Sequence, residues 1–90
     1  MVIGIDYDGT ITLAPDFWLE FINAAMNEGN KVIIVTGREA SQPIKVHGIP
    51  VVYAGDTFKR EAAENEGYFV DVWIDDEPGH IEPCRKLEWK

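Results

Sequence analysis

Ninety residues, of which 46% are hydrophobic, 11% aromatic and 27% charged, make one small folded domain, and these proportions exclude disordered, collagen-like and disulfide-scaffold chains. Eight basic residues against sixteen acidic ones leave a net charge of −8, which excludes gripping nucleic acid by bulk charge. The lone cysteine, Cys84, has no intramolecular partner, and no apolar run nears the roughly 20 residues of a membrane span. Met1 runs straight into Val2-Ile3-Gly4-Ile5 without a basic or small-residue leader, so the cytoplasm is the expected compartment.

Val2 to Ile5 is a short apolar run that ends in a polar cluster, the signature of a buried strand delivering a loop. After Asp6-Tyr7-Asp8-Gly9-Thr10, Pro15 and Asp16 open a helix, a proline being pre-set for the first helical position and an acid suiting the first turn. Phe17, Trp18, Phe21, Ile22, Ala25 and Met26 recur at three- and four-residue spacings on its expected core face, and Gly29 falls where a left-handed C-terminal cap is wanted. Lys31 then opens Val32-Ile33-Ile34-Val35, a β-branched run without alternation, as expected of a parallel strand covered on both faces. Glu39 to His47 reads as a second helix, with Ser41 as a cap and Gly48 as a stop. Val51-Val52-Tyr53 is a third strand, followed by a helix capped by Asp56 or Thr57 that runs through Phe58, Ala62 and Ala63 and ends at Gly67. Phe69 to Ile74 is a fourth strand ending in Asp75-Asp76. Cys84 to Lys90 has room for an edge strand or a single helical turn.

Strand, helix, strand in this order is a βαβ unit, so the strands are expected to be parallel and to leave their C-terminal ends on one rim. The polar residues fall there. Asp6 and Asp8 follow the first strand, Thr36 and Arg38 the second, Lys59 the third, and Asp75 and Asp76 the fourth. Carboxylates gathered so closely repel one another unless a cation neutralises them, and a hard divalent ion such as Mg²⁺ suits oxygen ligands. A hydroxyl, a lysine and a helix N-terminus beside that ion bind the oxygens of a phosphoryl group, so the set points to phosphoryl transfer.

Asp6-Tyr7-Asp8-Gly9-Thr10, Thr36-Gly37-Arg38, Lys59 and Asp75-Asp76 resemble, in order, the four motifs of the haloacid dehalogenase superfamily. The resemblance spans most of the chain; the strand followed by the first motif is its most specific part, with the strand before Thr36-Gly37-Arg38 second. It implies a small Rossmann-like three-layer α/β sandwich and hydrolysis of a phosphate ester through an aspartyl phosphate. Carried over by resemblance, Asp6 is the nucleophile and a Mg²⁺ ligand, and Asp8 the general acid and base, with its carbonyl on the metal. Gly9 and Thr10 form a turn that lets the backbone approach the phosphate. Thr36, joined by the Gly37 amide, donates to a transferring oxygen, and Lys59 neutralises charge shared by nucleophile and phosphate. Asp75 is the carboxylate ligand of Mg²⁺, while Asp76 holds a metal-bound water or orients Lys59, and the family's variants leave open which of the two touches the ion.

Members of the family insert a cap domain after the first motif or before the lysine; here the first gap holds one helix and the second a few residues, so a capless site is expected. Such a site suits a small phosphorylated molecule or the exposed phosphate of a larger one. The short chain also suggests a homodimer through an apolar edge, with Trp73, Leu87 and Trp89 as contacts. Arg38 is a candidate substrate-binding residue that could bind a second charge on the substrate. Plainer readings exist for each residue. Asp6 and Asp8 could cap a turn, Thr36 could cap the next segment, Arg38 could be a surface charge, Lys45 and Arg60 rival Lys59, and Asp75-Asp76 could be solvated loop acids. His80, near the last motif, and His47 read as incidental, and Cys84 as a structural thiol. Three alternatives to a phosphatase stand beside it: a phosphotransferase using the same aspartate, a regulatory module that binds Mg²⁺ or phosphate without turnover, and a receiver-type domain. The last is disfavoured by order, since the third strand ends in Ala54-Gly55 and not in an acceptor aspartate.

Overall fold

The computed structural model describes residues 1–46 and 48–83. Four strands, β1 (Val2–Ile5), β2 (Lys31–Thr36), β3 (Val51–Tyr53) and β4 (Val72–Ile74), form one all-parallel sheet in the order β3-β2-β1-β4. Helix α1 (Pro15–Asn27) links β1 to β2, and helix α2 (Lys59–Asn65) links β3 to β4. The chain moves outward from β1 to β3 and then returns to the other side of β1. Strand order therefore reverses at β1, where loops of neighbouring strands part and leave a crevice at their C-terminal ends.

Each helix covers its own face of the sheet. Ile3, Ile5, Val32 and Ile34 pack with Ile22 and Ala25 of α1, whereas Ile33, Val35 and Val52 pack with Ala62 and Ala63 of α2. Alternate residues of β2 thus enter two different cores, which explains why its sequence lacks polar alternation. The result is a small α/β fold consistent with a Rossmann-like arrangement.

Helix α1 begins at Pro15 and stops where Gly29, at φ +85°, takes the left-handed conformation of a C-terminal cap. Its apolar face is narrower than its spacing suggests: Ile22 and Ala25 are buried, Trp18 and Phe21 half-buried, while Phe17 and Met26 remain 61% and 44% exposed. Trp18 stands edge-on to both Phe17 and Phe21, so Phe17 reaches the aromatic cluster only from outside.

Three sequence expectations are corrected. No helix forms among the described residues of 39–47; a turn closes with the Gln42 amide donating to the Glu39 carbonyl, and residues 43–46 then have no regular secondary structure. Pro43 removes a helical donor, and the irregular path places Ile44, Val46 and Ile49 at the α1-side core, with the Ile44 amide donating to the Tyr53 hydroxyl at 2.8 Å. Neither Asp56 nor Thr57 caps α2: Phe58 occupies the cap position, the Thr57 amide closes a turn onto the Ala54 carbonyl, and the Arg60 amide of the first helical turn donates to the Ile81 carbonyl. A free first-turn donor is thus met by tertiary backbone instead of a cap. Finally, β4 is shorter than Phe69–Ile74 because pairing with β1 starts only at Ile3 opposite Val72, leaving Phe69 exposed.

Trp73, expected at a dimer edge, is half-buried against the α2-side core with the Arg60 guanidinium over its ring. His47, Cys84, Leu87, Trp89 and the expected element at 84–90 lie outside the described residues. Among the described residues, no helix is long and apolar enough to cross a membrane.

Candidate functional site

The rim of the sheet opens into a cleft of about 300 Å³ lined by Asp6, Asp8, Thr36, Gly37, Arg38, Gln42, Lys59, Asp75, Asp76, Glu77 and His80. Asp6 and His80, 74 positions apart in a 90-residue chain, line the same cleft because parallel strands end together. The Asp6 amide donates to the Ile74 carbonyl at 2.9 Å, continuing the β1–β4 ladder one residue past the strand and bringing Asp6 beside Asp75.

Lys59 is the centre of the arrangement. Its ammonium donates to Asp6 Oδ1 at 2.7 Å and to Asp75 Oδ2 at 2.6 Å, and all three side chains are almost wholly buried. Lysine at the first position of α2 opposes the helix dipole, so the placement is driven by the two carboxylates and not by the helix. Lys45 is exposed, and Arg60 turns to Glu64 and Glu82, so neither rival cation enters the cleft lining. Burial works against the Lys59 charge, but its hydrogen bonds to Asp6 and Asp75 outweigh that and hold its pKa above the ordinary lysine value. For Asp6, burial pushes the carboxyl above the usual range; Lys59 opposes the rise, while Asp76 and Asp75 add to it.

The other Asp6 oxygen accepts the Thr10 hydroxyl at 3.2 Å. Thr10 is buried and, like Gly9, is not among the cleft-lining residues, and its hydroxyl is engaged with Asp6. Gly9 sits at φ +87°, and its amide donates to Thr12 Oγ1 at 2.9 Å, so it is engaged within its own turn. A β-carbon at Gly9 would lie 2.5 Å from Asp76 Oδ2, so the missing side chain is what lets the Asp76 carboxylate come this close.

Asp6, Asp75 and Asp76 each offer one oxygen within 4.8 Å of the others. The donor set fits a hard divalent cation: all oxygens, no nitrogen or sulfur, and more negative charge than Lys59 alone balances. Within the set, Asp75 already accepts from Lys59 on one oxygen and from the Glu77 amide on the other at 2.9 Å, leaving Asp76, bonded to neither, as the less committed carboxylate. Lys59 is thus oriented by Asp75 and Asp6, not by Asp76.

Asp8 is placed differently. Both of its oxygens accept from Arg38, Nε at 2.7 Å and Nη2 at 2.8 Å, and the guanidinium holds its carboxyl below the usual carboxylate range. Thr36 Oγ1 accepts the Arg38 amide at 3.2 Å, which leaves its own hydroxyl proton to point elsewhere, while Gly37 is exposed on the cleft wall. Two contributors had escaped sequence reasoning, and a third, His80, reads from the sequence as incidental. Tyr7 lies with its ring 5.2 Å from the Arg38 guanidinium carbon, Glu77 supplies the backbone amide to Asp75, and His80, paired with Glu77 at 3.2 Å, lines the cleft. Tyr7 had one available signal, its position between two aspartates in a loop. Comparison with protein-family models, with curated proteins and with solved structures finds no match for the chain.

Proposed function

We propose that the protein is a Mg²⁺-dependent phosphohydrolase, a phosphomonoesterase that works through an aspartyl phosphate on Asp6, of the haloacid dehalogenase type that its motifs resemble. The observation that supports this most is the buried Asp6–Lys59–Asp75 arrangement beside Asp76 at the point where strand order reverses. Structural ion pairs are rarely built as two carboxylates on one buried lysine at an open cleft, because removing these charges from water is expensive.

In this reading an Asp6 oxygen attacks phosphorus, the bond to the ester oxygen breaks, and the electron pair leaves on the alkoxide. Asp8, as the carboxylate that Arg38 favours, takes a proton from the water that cleaves the aspartyl phosphate to free Asp6 and inorganic phosphate, and it is this proton, carried over from one turnover to the next, that Asp8 gives to the leaving alkoxide. Lys59 and the Thr36 hydroxyl offset charge on the phosphoryl oxygens, and Thr10 keeps Asp6 aimed. Asp6, Asp76 and Asp75 would hold Mg²⁺, and the charge it would supply there would lower the repulsion between the anionic ester and the carboxylates. The described segments between β1 and β2 and between β3 and α2 hold no cap, so the cleft admits water as the acceptor and accepts a phosphate on a small molecule or at an exposed position of a larger one.

Phosphate release from a panel of phosphomonoesters tests the reading. Turnover requires Mg²⁺, stops with chelator, and falls by about a thousandfold or more in Asp6→Asn. Beryllofluoride with Mg²⁺, a mimic of the acyl phosphate, raises the melting temperature of the wild type and not of Asp6→Asn. Release that survives in Asp6→Asn, or a folded wild type that neither turns over an ester nor responds to beryllofluoride, overturns it.

A further inference from the structure

Five acids line the cleft, Asp6, Asp8, Asp75, Asp76 and Glu77, against the cations Lys59 and Arg38. Lys59 is occupied by Asp6 and Asp75, and His80 is turned to Glu77. Whereas the buried Lys59 keeps a single N–H, Arg38 is the lining cation with a whole edge of donors open. It meets Asp8 side-on, through Nε and Nη2, so the opposite edge of the guanidinium, with Nη1, has no hydrogen-bond partner among the described residues.

The residue is also held in place more firmly than an ordinary surface arginine. Its amide donates to Thr36 Oγ1, its carbonyl accepts the Gly55 amide at 3.3 Å, its guanidinium lies over the Tyr7 ring, and its side-on edge is fixed by both Asp8 oxygens. An exposed ion pair contributes little stability, so folding gives no reason for such fixation. A planar fork with one edge anchored and the other open is a receptor for a carboxylate or a phosphate, whose paired oxygens match it.

We infer that Arg38 is a specificity-determining residue that receives a second anionic group, carried by the substrate a few bonds from the phosphate ester on the leaving-group side. The inference rests on the phosphohydrolase reading, since the leaving-group side is set by Asp8, to which Arg38 is bonded. The substrate class is then a phosphate ester whose alcohol bears a carboxylate or another phosphate, and Tyr7 and Asp8 act as positioning residues for the arginine. In a protein with a net charge of −8, the open edge of Arg38 is what makes such a doubly anionic ligand acceptable.

The matched esters 3-phosphoglycerate and glycerol 3-phosphate differ only in carboxylate against hydroxymethyl at the far carbon. The wild type favours 3-phosphoglycerate in kcat/KM by about ten- to a hundredfold, the weight of a charge-assisted hydrogen bond. Arg38→Gln brings the ratio near unity. Arg38→Lys, which keeps the charge and loses the fork, leaves an intermediate ratio. Any damage to Asp8 in these variants affects both esters and cancels in the ratio. Should the variants not fold, the Arg38 Nε–Hε resonance of the wild type reports directly, shifting on titration with 3-phosphoglycerate and not with glycerol 3-phosphate. A wild-type ratio near one, a ratio unchanged in Arg38→Gln, or an unmoved resonance overturns the inference while Asp6-dependent turnover of para-nitrophenyl phosphate leaves the hydrolase reading standing. Absence of turnover with all three esters, together with no response of the folded wild type to beryllofluoride, overturns both.

Discussion

Gly9 shows how a single missing side chain shapes the acidic site. Its backbone is left-handed, a conformation costing other residues roughly 1–2 kcal/mol, and the space a β-carbon would fill is taken by the Asp76 carboxylate. Gly9→Ala therefore carries two penalties, strain in the turn and displacement of a candidate cation ligand. It lowers stability by about 1–2 kcal/mol in urea denaturation and weakens Mg²⁺-dependent activity by more than that loss of folded protein explains. A variant with unchanged stability and full activity would show that the turn tolerates the change and that Asp76 has room to move. The same loop holds Asp6 and Asp8 two residues apart yet in unlike surroundings: Asp6 buried on a lysine, Asp8 on an arginine at the mouth. Two acids of one loop are thereby pushed in opposite directions from the ordinary carboxylate pKa, Asp6 up and Asp8 down.

Helix α2 is only seven residues long, yet it delivers the one buried cation of the site. It needs no side-chain cap because Ile81 supplies a carbonyl to its first turn and Ala62 and Ala63 lock it onto β2 and β3. Removing Lys59 leaves Asp6 and Asp75 buried without a counter-ion, and breaking a buried pair in this way costs about 3–5 kcal/mol. Lys59→Met is thus largely unfolded by circular dichroism at 25 °C in chelator and recovers structure when Mg²⁺ is added; a variant as stable as the wild type in chelator would refute the account. The pH dependence has a defined sign. Because the Lys59 pKa in the folded chain lies above its unfolded value of 10.5, its stabilising contribution is complete below pH 10.5 and is lost as pH rises through the folded value. Alkaline unfolding that begins below pH 10.5 must come from other groups.

At the scale of the whole molecule the dominant fact is excess negative charge, −8 on 90 residues, part of it concentrated on one edge of the sheet. Self-repulsion of this kind opposes the compact state and is screened by salt, so the melting temperature rises with sodium chloride. Mg²⁺ at matched ionic strength raises it further, because a ligand that binds only the folded chain adds stability by mass action. That extra increment disappears in Asp76→Asn, whereas the salt effect persists. Equal effects of the two salts at matched ionic strength would mean that the carboxylates act as diffuse charge and not as a cation site.

The succession of strands along the chain, the parallel sheet and the polar rim were legible in the sequence because they follow from local chemistry: β-branched runs, a proline to start α1, a glycine to stop it, and acids where strands end; the order of strands across the sheet was not. Thr36, Lys59 and the aspartates could be assigned to one rim before any contact was known, since parallel strands in a βαβ chain end on the same side. What local pattern could not supply was decided by packing. Residues 39–46 carry weak helical features, but packing of Ile44 and Val46 into the α1-side core favoured an irregular path. Phe17 has the right spacing for the core and still lies outside it, because the strip of α1 that meets β2 is narrow. Most of all, the pairing of charges is a tertiary fact. Lys59 joins Asp6 across 53 residues and Arg38 joins Asp8 across 30, and no periodicity records which cation meets which acid when the strands close into a sheet.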